Sequence, residues 1–254
     1  MNKTLVIQTV LVFVVFTLFC ASGCQDVDDL AQSIATADRV ECAGVGFAGT
    51  PSSVYKTFTK LRSKASKEDL LQLLEHENPA VRVYAYYSLI DRNLIPADQL
   101  FQQAMEKDTS VSTFCGCTMS GSRLSFLVYN RYWQQRVKYY DNGDELETHI
   151  EDSPVLRTMD SLILYSTPPD LFLAYTALGN RIYSEAYRPR IEALAFTEDN
   201  FQALEYVYEN WPAGNEDRLV EKINEYLADD DAIGAIRSSS YTMLRKLQEL
   251  REGD

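Results

Sequence analysis

Residues 70–89, LLQLLEHENPAVRVYAYYSL, carry the clearest structural pattern in the chain. The leucines at the start of this stretch fall on one face of a helix that begins at Ser66, and Asp69 three residues later completes a capping-box arrangement. Pro79 then stands at the favoured first position of a second helix. Apolar and small side chains recur at helical spacing along that helix: Val81, Tyr84, Ala85, Ser88 and Leu89. The stretch therefore predicts two helices joined by a short Asn-Pro turn.

This predicted hairpin resembles a HEAT-type repeat over residues 66–93. In that family a leucine-rich helix and an Asp/Asn-Pro turn precede a helix with Val-Arg, Ala and Leu at fixed positions. The residues at the motif positions are Asn78, Pro79, Val81, Arg82, Ala85 and Leu89. The resemblance implies an α-solenoid of stacked helical hairpins that presents a surface to a protein partner. It also implies that Arg82 is structural and forms hydrogen bonds near the turns.

Weaker helical patterns continue to the C-terminus, with prolines and Asp/Asn clusters marking helix starts. We therefore predict one all-α domain over residues 51–254, an irregular α-solenoid of HEAT-like hairpins. Within it, the aromatic segment after Ser120 predicts a helix to about Lys138. An exposed, irregular insertion is expected at about 139–152, where Asn-Gly also fits a hairpin turn.

The N-terminus has the pattern of an export signal. An apolar run over residues 5–19 follows Lys3, and three small residues precede Cys24. This pattern resembles a bacterial lipoprotein signal peptide, which implies cleavage of residues 1–23 and a covalent lipid on Cys24. A flexible tether over residues 24–50 is then expected. An uncleaved N-terminal anchor is the alternative.

The lipoprotein resemblance implies a place in a Gram-negative cell envelope. We expect a protein anchored to the outer membrane by its lipid alone, on either the periplasmic face or the cell surface. The chain has 37 acidic and 24 basic residues and a formal net charge of −13. Such acidity argues against electrostatic binding of nucleic acid or anionic headgroups.

The cysteines of the mature chain leave two interpretations open. An envelope compartment permits disulfides, so Cys42 can pair with either Cys115 or Cys117 and leave the other thiol over. The alternative is that Cys115 and Cys117 are two small buried residues in a turn. A metal or redox role has no histidine nearby to support it.

Catalytic motifs are missing from the sequence. It has no nucleophile elbow, no phosphate-binding glycine loop and no cysteine pairs with zinc spacing. The acidic residues around His149 are more typical of a solvated loop than of a metal site. We therefore predict no enzymatic activity, no metal and no cofactor other than the lipid on Cys24. An envelope hydrolase with paired carboxylates on a helical scaffold is the alternative.

The chain contains 16 tyrosines, an unusual number. Tyrosine and tryptophan are enriched at binding hot spots, although many serve only to pack helices together. The aromatic and basic segment 129–140 predicts a partner surface that includes Tyr132, Trp133 and Arg136. Taken together, these patterns predict a non-catalytic scaffold or adaptor that binds a protein partner in the envelope.

Overall fold

A computed structural model describes residues 27–136, 148–149, 153–166, 171–179, 181–229 and 234–252. The predicted signal peptide, Cys24 and most of the predicted insertion lie outside these residues. The chain divides into two compact units, Met1–Arg136 and Val137–Asp254, where the sequence predicted one helical domain. Within the described parts of both units, no helix combines the length and apolarity that a membrane span requires.

The described part of the first unit contains helices and a small sheet. Its helices are α1 (27–37), α2 (Ser53–Lys64), α3 (Lys67–Leu73), α4 (Pro79–Asp91), α5 (Ala97–Glu106) and α6 (Leu124–Arg136). Its strands are β1 (Val40–Val45), β2 (Thr50–Pro51), β3 (Ser110–Gly116) and β4 (Thr118–Arg123).

The helical hairpin predicted over residues 66–93 is confirmed as α3 and α4. Ser66 and Asp69 form the capping box, and the Asn78 side chain accepts hydrogen bonds from the first backbone amides of α4. The Arg82 guanidinium donates to the carbonyls of His76 and Glu77, at 2.8 and 3.0 Å, as expected of a residue that fixes the turn.

Helix α4 lies at the centre of the first unit. It contacts α2, α3, α5, α6, β1 and β3, and most of its side chains are buried. In a solenoid each repeat contacts only its neighbours along the stack. The arrangement around α4 is therefore more compact than the predicted stack of hairpins.

The prediction of an all-α fold is wrong for residues 40–51 and 110–123. These residues form a four-stranded sheet in the order β2-β1-β3-β4, in which β1 and β3 are parallel and the other pairs antiparallel. The strands are short and mostly exposed, so the alternation of apolar and polar residues that reveals a strand is weak. The paired residues of β1 and β3 are 71–73 positions apart in sequence, and no local pattern predicts a pairing at that distance.

The prediction of a flexible tether is also wrong for residues 27–50. Helix α1 buries Val27, Ala31 and Ile34, which recur at helical spacing. Strand β1 is fixed to α4 by Tyr84, whose hydroxyl accepts from the Glu41 amide at 2.7 Å and lies 3.1 Å from the Glu41 carbonyl. Residues 27–41 therefore contribute to the core of the first unit, and residues 42–50, which are exposed or half-buried, belong to the sheet and its first loop.

The described part of the second unit is mainly helical. Its helices are α7 (Pro154–Leu164), α8 (Leu171–Leu178), α9 (Arg188–Phe196), α10 (Phe201–Asn210), α11 (Glu216–Ala228) and α12 (Gly234–Glu252), with a 3₁₀ turn at Glu185–Tyr187. Two short strands, β5 (Thr148–His149) and β6 (Arg181–Ile182), pair in parallel. Helices that follow each other along the chain contact in pairs: α7 with α8, α9 with α10, and α11 with α12.

An ion pair lies in the core of this second unit. Arg181 Nε donates to Asp160 Oδ2 at 3.3 Å, and both side chains are at most 1% exposed. The Tyr183 hydroxyl lies 3.2 Å from the same carboxylate oxygen and donates to the Ala177 carbonyl at 2.6 Å. The ion pair and the Tyr183 hydroxyl together connect α7 and α8 to the segment that follows them in the chain.

Candidate partner-binding site

The predicted partner surface on α6 is wrong for its two aromatic residues. Tyr132 is 7% exposed and Trp133 is 5% exposed, and the neighbouring Tyr129 is completely buried. These rings pack α6 into the first unit, which is the commoner use of large aromatic side chains. Buried rings offer no surface to a partner. Arg136 ends helix α6, and its side chain lies outside the described residues.

One arginine of this segment, Arg131, is bound inside the first unit. Its Nε and Nη2 donate to the two carboxylate oxygens of Asp91 at 2.7 and 2.5 Å. Arg62 of α2 and Gln135 of α6 each donate to the same carboxylate at 2.6 Å. The Arg131 guanidinium also lies 4.9 Å from the centre of the Tyr87 ring. This cluster joins α2, α4 and α6, and it commits one basic residue of the 129–140 segment to the packing of the first unit.

The electrostatics of Asp91 fit this structural role. Burial opposes ionisation of the carboxyl group, but hydrogen bonds from Arg131 and Arg62 outweigh burial and lower the pKa of Asp91 below its ordinary value of 3.8. A carboxylate with a lowered pKa in the folded state stabilises the protein above its unfolded pKa. This stabilisation is lost as the pH falls through the folded pKa.

Asp91→Asn is expected to cost about 1.5–3 kcal/mol at pH 7, because it removes charged hydrogen bonds from two arginines. The cost should shrink as the pH falls below about 4, because the carboxyl group of the unfolded wild type takes up a proton before that of the folded protein. Urea unfolding of both proteins at pH 7 and pH 3 measures the difference, with the exposed Glu77→Gln as a control. An equal cost at both pH values would contradict this assignment.

A second candidate surface lies in the second unit. An open groove of about 700 Å³ runs along α7, within the size range of ligand pockets in proteins. Its lining residues are Arg157, Thr158, Ser161, Leu162, Tyr165, Ser166 and Tyr187.

Local sequence explains why α7 presents these residues. Pro154 occupies the first turn after the Ser153 cap, and α7 buries a stripe that includes Leu156, Met159 and Ile163. The residues between these positions therefore face the groove. At the other end of α7, Arg190 Nε donates to the Leu164 carbonyl at 2.6 Å.

The groove combines an aromatic ring with an uncommitted positive charge. Tyr165 is 59% exposed, and the Arg190 guanidinium lies 5.7 Å from its ring centre, which helps to fix the ring. Arg157 is exposed and has no ion-pair or side-chain hydrogen-bond partner in the described part of the chain. The Ser161 and Tyr187 hydroxyls lie 3.1 Å apart and offer further polar contacts.

The hydrolase alternative requires a pair of carboxyl groups placed to act as acid and base. Among the described carboxyl groups, Asp91 and Glu192 both have a lowered pKa. For Glu192, burial raises the pKa, but hydrogen bonds from Arg188 and Asn215 outweigh it. A general acid in glycoside hydrolysis needs the opposite shift. The described residues also contain no group of three or more histidine, cysteine or acidic side chains placed to hold a metal ion.

Comparisons with known proteins add no relative: no protein-family model matches the chain, and no curated protein or solved structure is significantly similar to it. The HEAT-type and lipoprotein resemblances therefore stay predictions from sequence motifs. The groove was not predicted, because its walls come from α7 and a 3₁₀ turn about 20 residues later. The feature of the sequence that points to the groove is Tyr165, which directly follows the helix that carries Arg157.

Proposed function

We propose that this protein is a lipid-anchored, non-catalytic adaptor of the Gram-negative cell envelope that binds a protein partner through the groove along α7. The observation that carries the proposal is the exposed ring of Tyr165 in the same groove as the guanidinium of Arg157, which is exposed and has no partner among the described residues. Tyrosine and arginine are the residue types that most often dominate binding energy at protein interfaces. The HEAT-like hairpin over residues 66–93 agrees with an interaction protein.

The partner's chemistry follows from the groove. Arg157 suits a carboxylate, which a guanidinium binds through two parallel hydrogen bonds. Tyr165 suits an apolar or aromatic side chain next to that carboxylate. The chain has a net charge of −13, so a single exposed basic side chain such as Arg157 also helps to set the orientation of an acidic partner segment.

A lipid on Cys24 would place the adaptor close to a membrane. Helix α1 begins at residue 27, and a fully extended chain spans at most about 3.6 Å per residue. The anchor would therefore hold the first unit within about 10 Å of the bilayer surface. In this proposal the short connection takes the place of the long tether that the sequence predicted.

The anchor is tested by the mass of the mature N-terminus. The wild-type protein is expected to begin at Cys24, to carry the mass of attached acyl chains and to sediment with membranes. Cys24→Ala should lose the acyl mass and the cleavage, because the lipid acceptor is gone; Cys20→Ala is the matched control and should change neither. An unlipidated N-terminus that retains residues 1–23 in the wild type would contradict the anchor.

The groove is tested by affinity for the partner. Tyr165→Ala and Arg157→Ala are each expected to weaken binding about 30-fold, the effect of losing a hot-spot residue worth about 2 kcal/mol. Calorimetric titration of the isolated partner measures the change. Tyr241→Ala is the control, because Tyr241 on α12 is 63% exposed and lies outside the groove. Equal effects of all three substitutions would overturn the proposal.

A further inference from the structure

Three cysteines lie together on the sheet of the first unit. Cys42 of β1 and Cys115 of β3 form a disulfide, with their Cα atoms 4.9 Å apart. Cys117, two residues further along, is an exposed free thiol in the turn between β3 and β4. Both bridged cysteines are exposed as well. The Cys42–Cys115 disulfide is one of the pairings that the sequence left open. The alternative, in which Cys115 and Cys117 are two buried residues in a turn, is wrong because both of these side chains are exposed.

Exposure makes this arrangement chemically distinctive. Exposed disulfides are the ones that exchange with thiols, whereas purely structural disulfides resist reduction. An odd exposed thiol in a compartment that favours disulfides marks either a reactive group or a pairing with another chain. Here an exposed disulfide and an exposed thiol occupy one hairpin.

Apolar side chains flank the cysteines. The Gly46 amide donates to the Gly116 carbonyl at 2.7 Å, which holds the β1–β2 loop against the β3–β4 turn. Phe47 in that loop is completely exposed, and Met119 on β4 is 65% exposed. Exposed apolar residues beside a reactive group suit an extended peptide segment.

We propose that Cys42, Cys115 and Cys117 form a thiol–disulfide exchange site that captures a cysteine-bearing segment of another protein reversibly and covalently. This inference does not rest on the groove or on the lipid itself, but it takes from the proposed envelope location a compartment in which disulfides persist. Its evidence lies in the first unit, and it applies to the purified protein.

The exchange balances without an oxidant or a reductant. The thiolate of the partner attacks the sulfur of Cys42, so that a partner–Cys42 disulfide forms, the Cys42–Cys115 bond breaks and Cys115 leaves as a thiolate. The thiolate of Cys115 or Cys117 then attacks Cys42, expels the partner's thiolate and closes a new bridge. The proton that the partner's thiol loses on ionisation returns to it on release. Cys117 is thus a second thiol that can release the partner. When Cys117 does so, the disulfide changes from Cys42–Cys115 to Cys42–Cys117.

Reduced glutathione is the probe for this site. We expect folded, oxidised protein at pH 8 to acquire glutathione on Cys42, as measured by peptide mass after an acid quench. Glutathione should react with this disulfide in the folded protein at a rate comparable to its rate with the same disulfide in the urea-unfolded protein. Cys117→Ser should prolong the mixed disulfide about twofold, because one of two competing thiols is removed. A disulfide that reacts only after unfolding, or on Cys115 alone, would overturn the proposal.

A second variant tests the reach of Cys117 separately. In folded Cys115→Ser, Cys42 and Cys117 should form a disulfide and resist alkylation. Alkylation of both Cys42 and Cys117 in a folded Cys115→Ser protein, located by peptide mass so that Cys20 and Cys24 are not counted, would show that Cys117 cannot close the bridge, which also overturns the proposal. Circular dichroism of each variant establishes that it is folded.

Discussion

Replacing Asp160 by alanine is expected to destabilise the second unit by about 3–5 kcal/mol, the usual cost of breaking a buried ion pair by removing one partner. Asp160 is 0% exposed and Arg181 is 1% exposed. The substitution leaves the guanidinium in the core without this carboxylate, and it also removes an oxygen that lies 3.2 Å from the Tyr183 hydroxyl. Urea unfolding measures the loss.

Two further variants separate the ion pair from simple loss of volume. The double variant Asp160→Ala/Arg181→Met should be less destabilised than Asp160→Ala, because no buried charge remains. Arg245→Ala disrupts the exposed pair with Glu249 on α12 and should change stability little. A loss below about 1 kcal/mol for Asp160→Ala would mean that the pair does not hold this core together.

Phe58→Ala is expected to destabilise the first unit by about 3–5 kcal/mol. The Phe58 ring is completely buried and stacks on Tyr84, with 4.6 Å between ring centres. The guanidinium groups of Arg62 and Arg131 lie 5.4 and 5.8 Å from the same ring. Removing the ring opens a cavity where α2 meets α4, and it takes packing away from the arginines that hold Asp91.

Phe47→Ala is the matched control for this substitution. It deletes the same side chain from the same unit, but Phe47 is completely exposed, so the free energy of unfolding should change by less than about 0.5 kcal/mol. Thermal and urea unfolding of the two variants measure the contrast. Equal destabilisation by both substitutions would contradict the burial of Phe58 in this core.

The parts of the fold that could be predicted from sequence are those determined by neighbouring residues. The capping box of Ser66 and Asp69, the Asn78 cap and Pro79 act within a few residues, and the structure has them as predicted. The sheet depends on the pairing of β1 with β3, in which Cys42 and Cys115 are 73 positions apart in sequence. No periodic pattern encodes a contact of that separation, so the strands were missed.

The residues of the candidate site could not be identified from residue types alone. Tyr132 and Trp133 share their residue types with hot spots, but the direction in which α6 faces is set by its packing on α4 and α5. The same pattern of aromatic and basic residues therefore describes a core face. Tyr165 follows α7 as a single tyrosine, and its exposure becomes clear only when α7 packs on α9.

The most direct test of the central claim is in-cell photocrosslinking from the groove. A photoreactive amino acid replaces Tyr165 in the full-length protein, and a second strain carries it at Tyr241 as an exposed control. The adaptor account predicts that one envelope protein crosslinks from position 165, not from position 241, and that adding Arg157→Glu abolishes the crosslink. Crosslinks that are absent from position 165, shared by both positions or unaffected by Arg157→Glu would contradict the account.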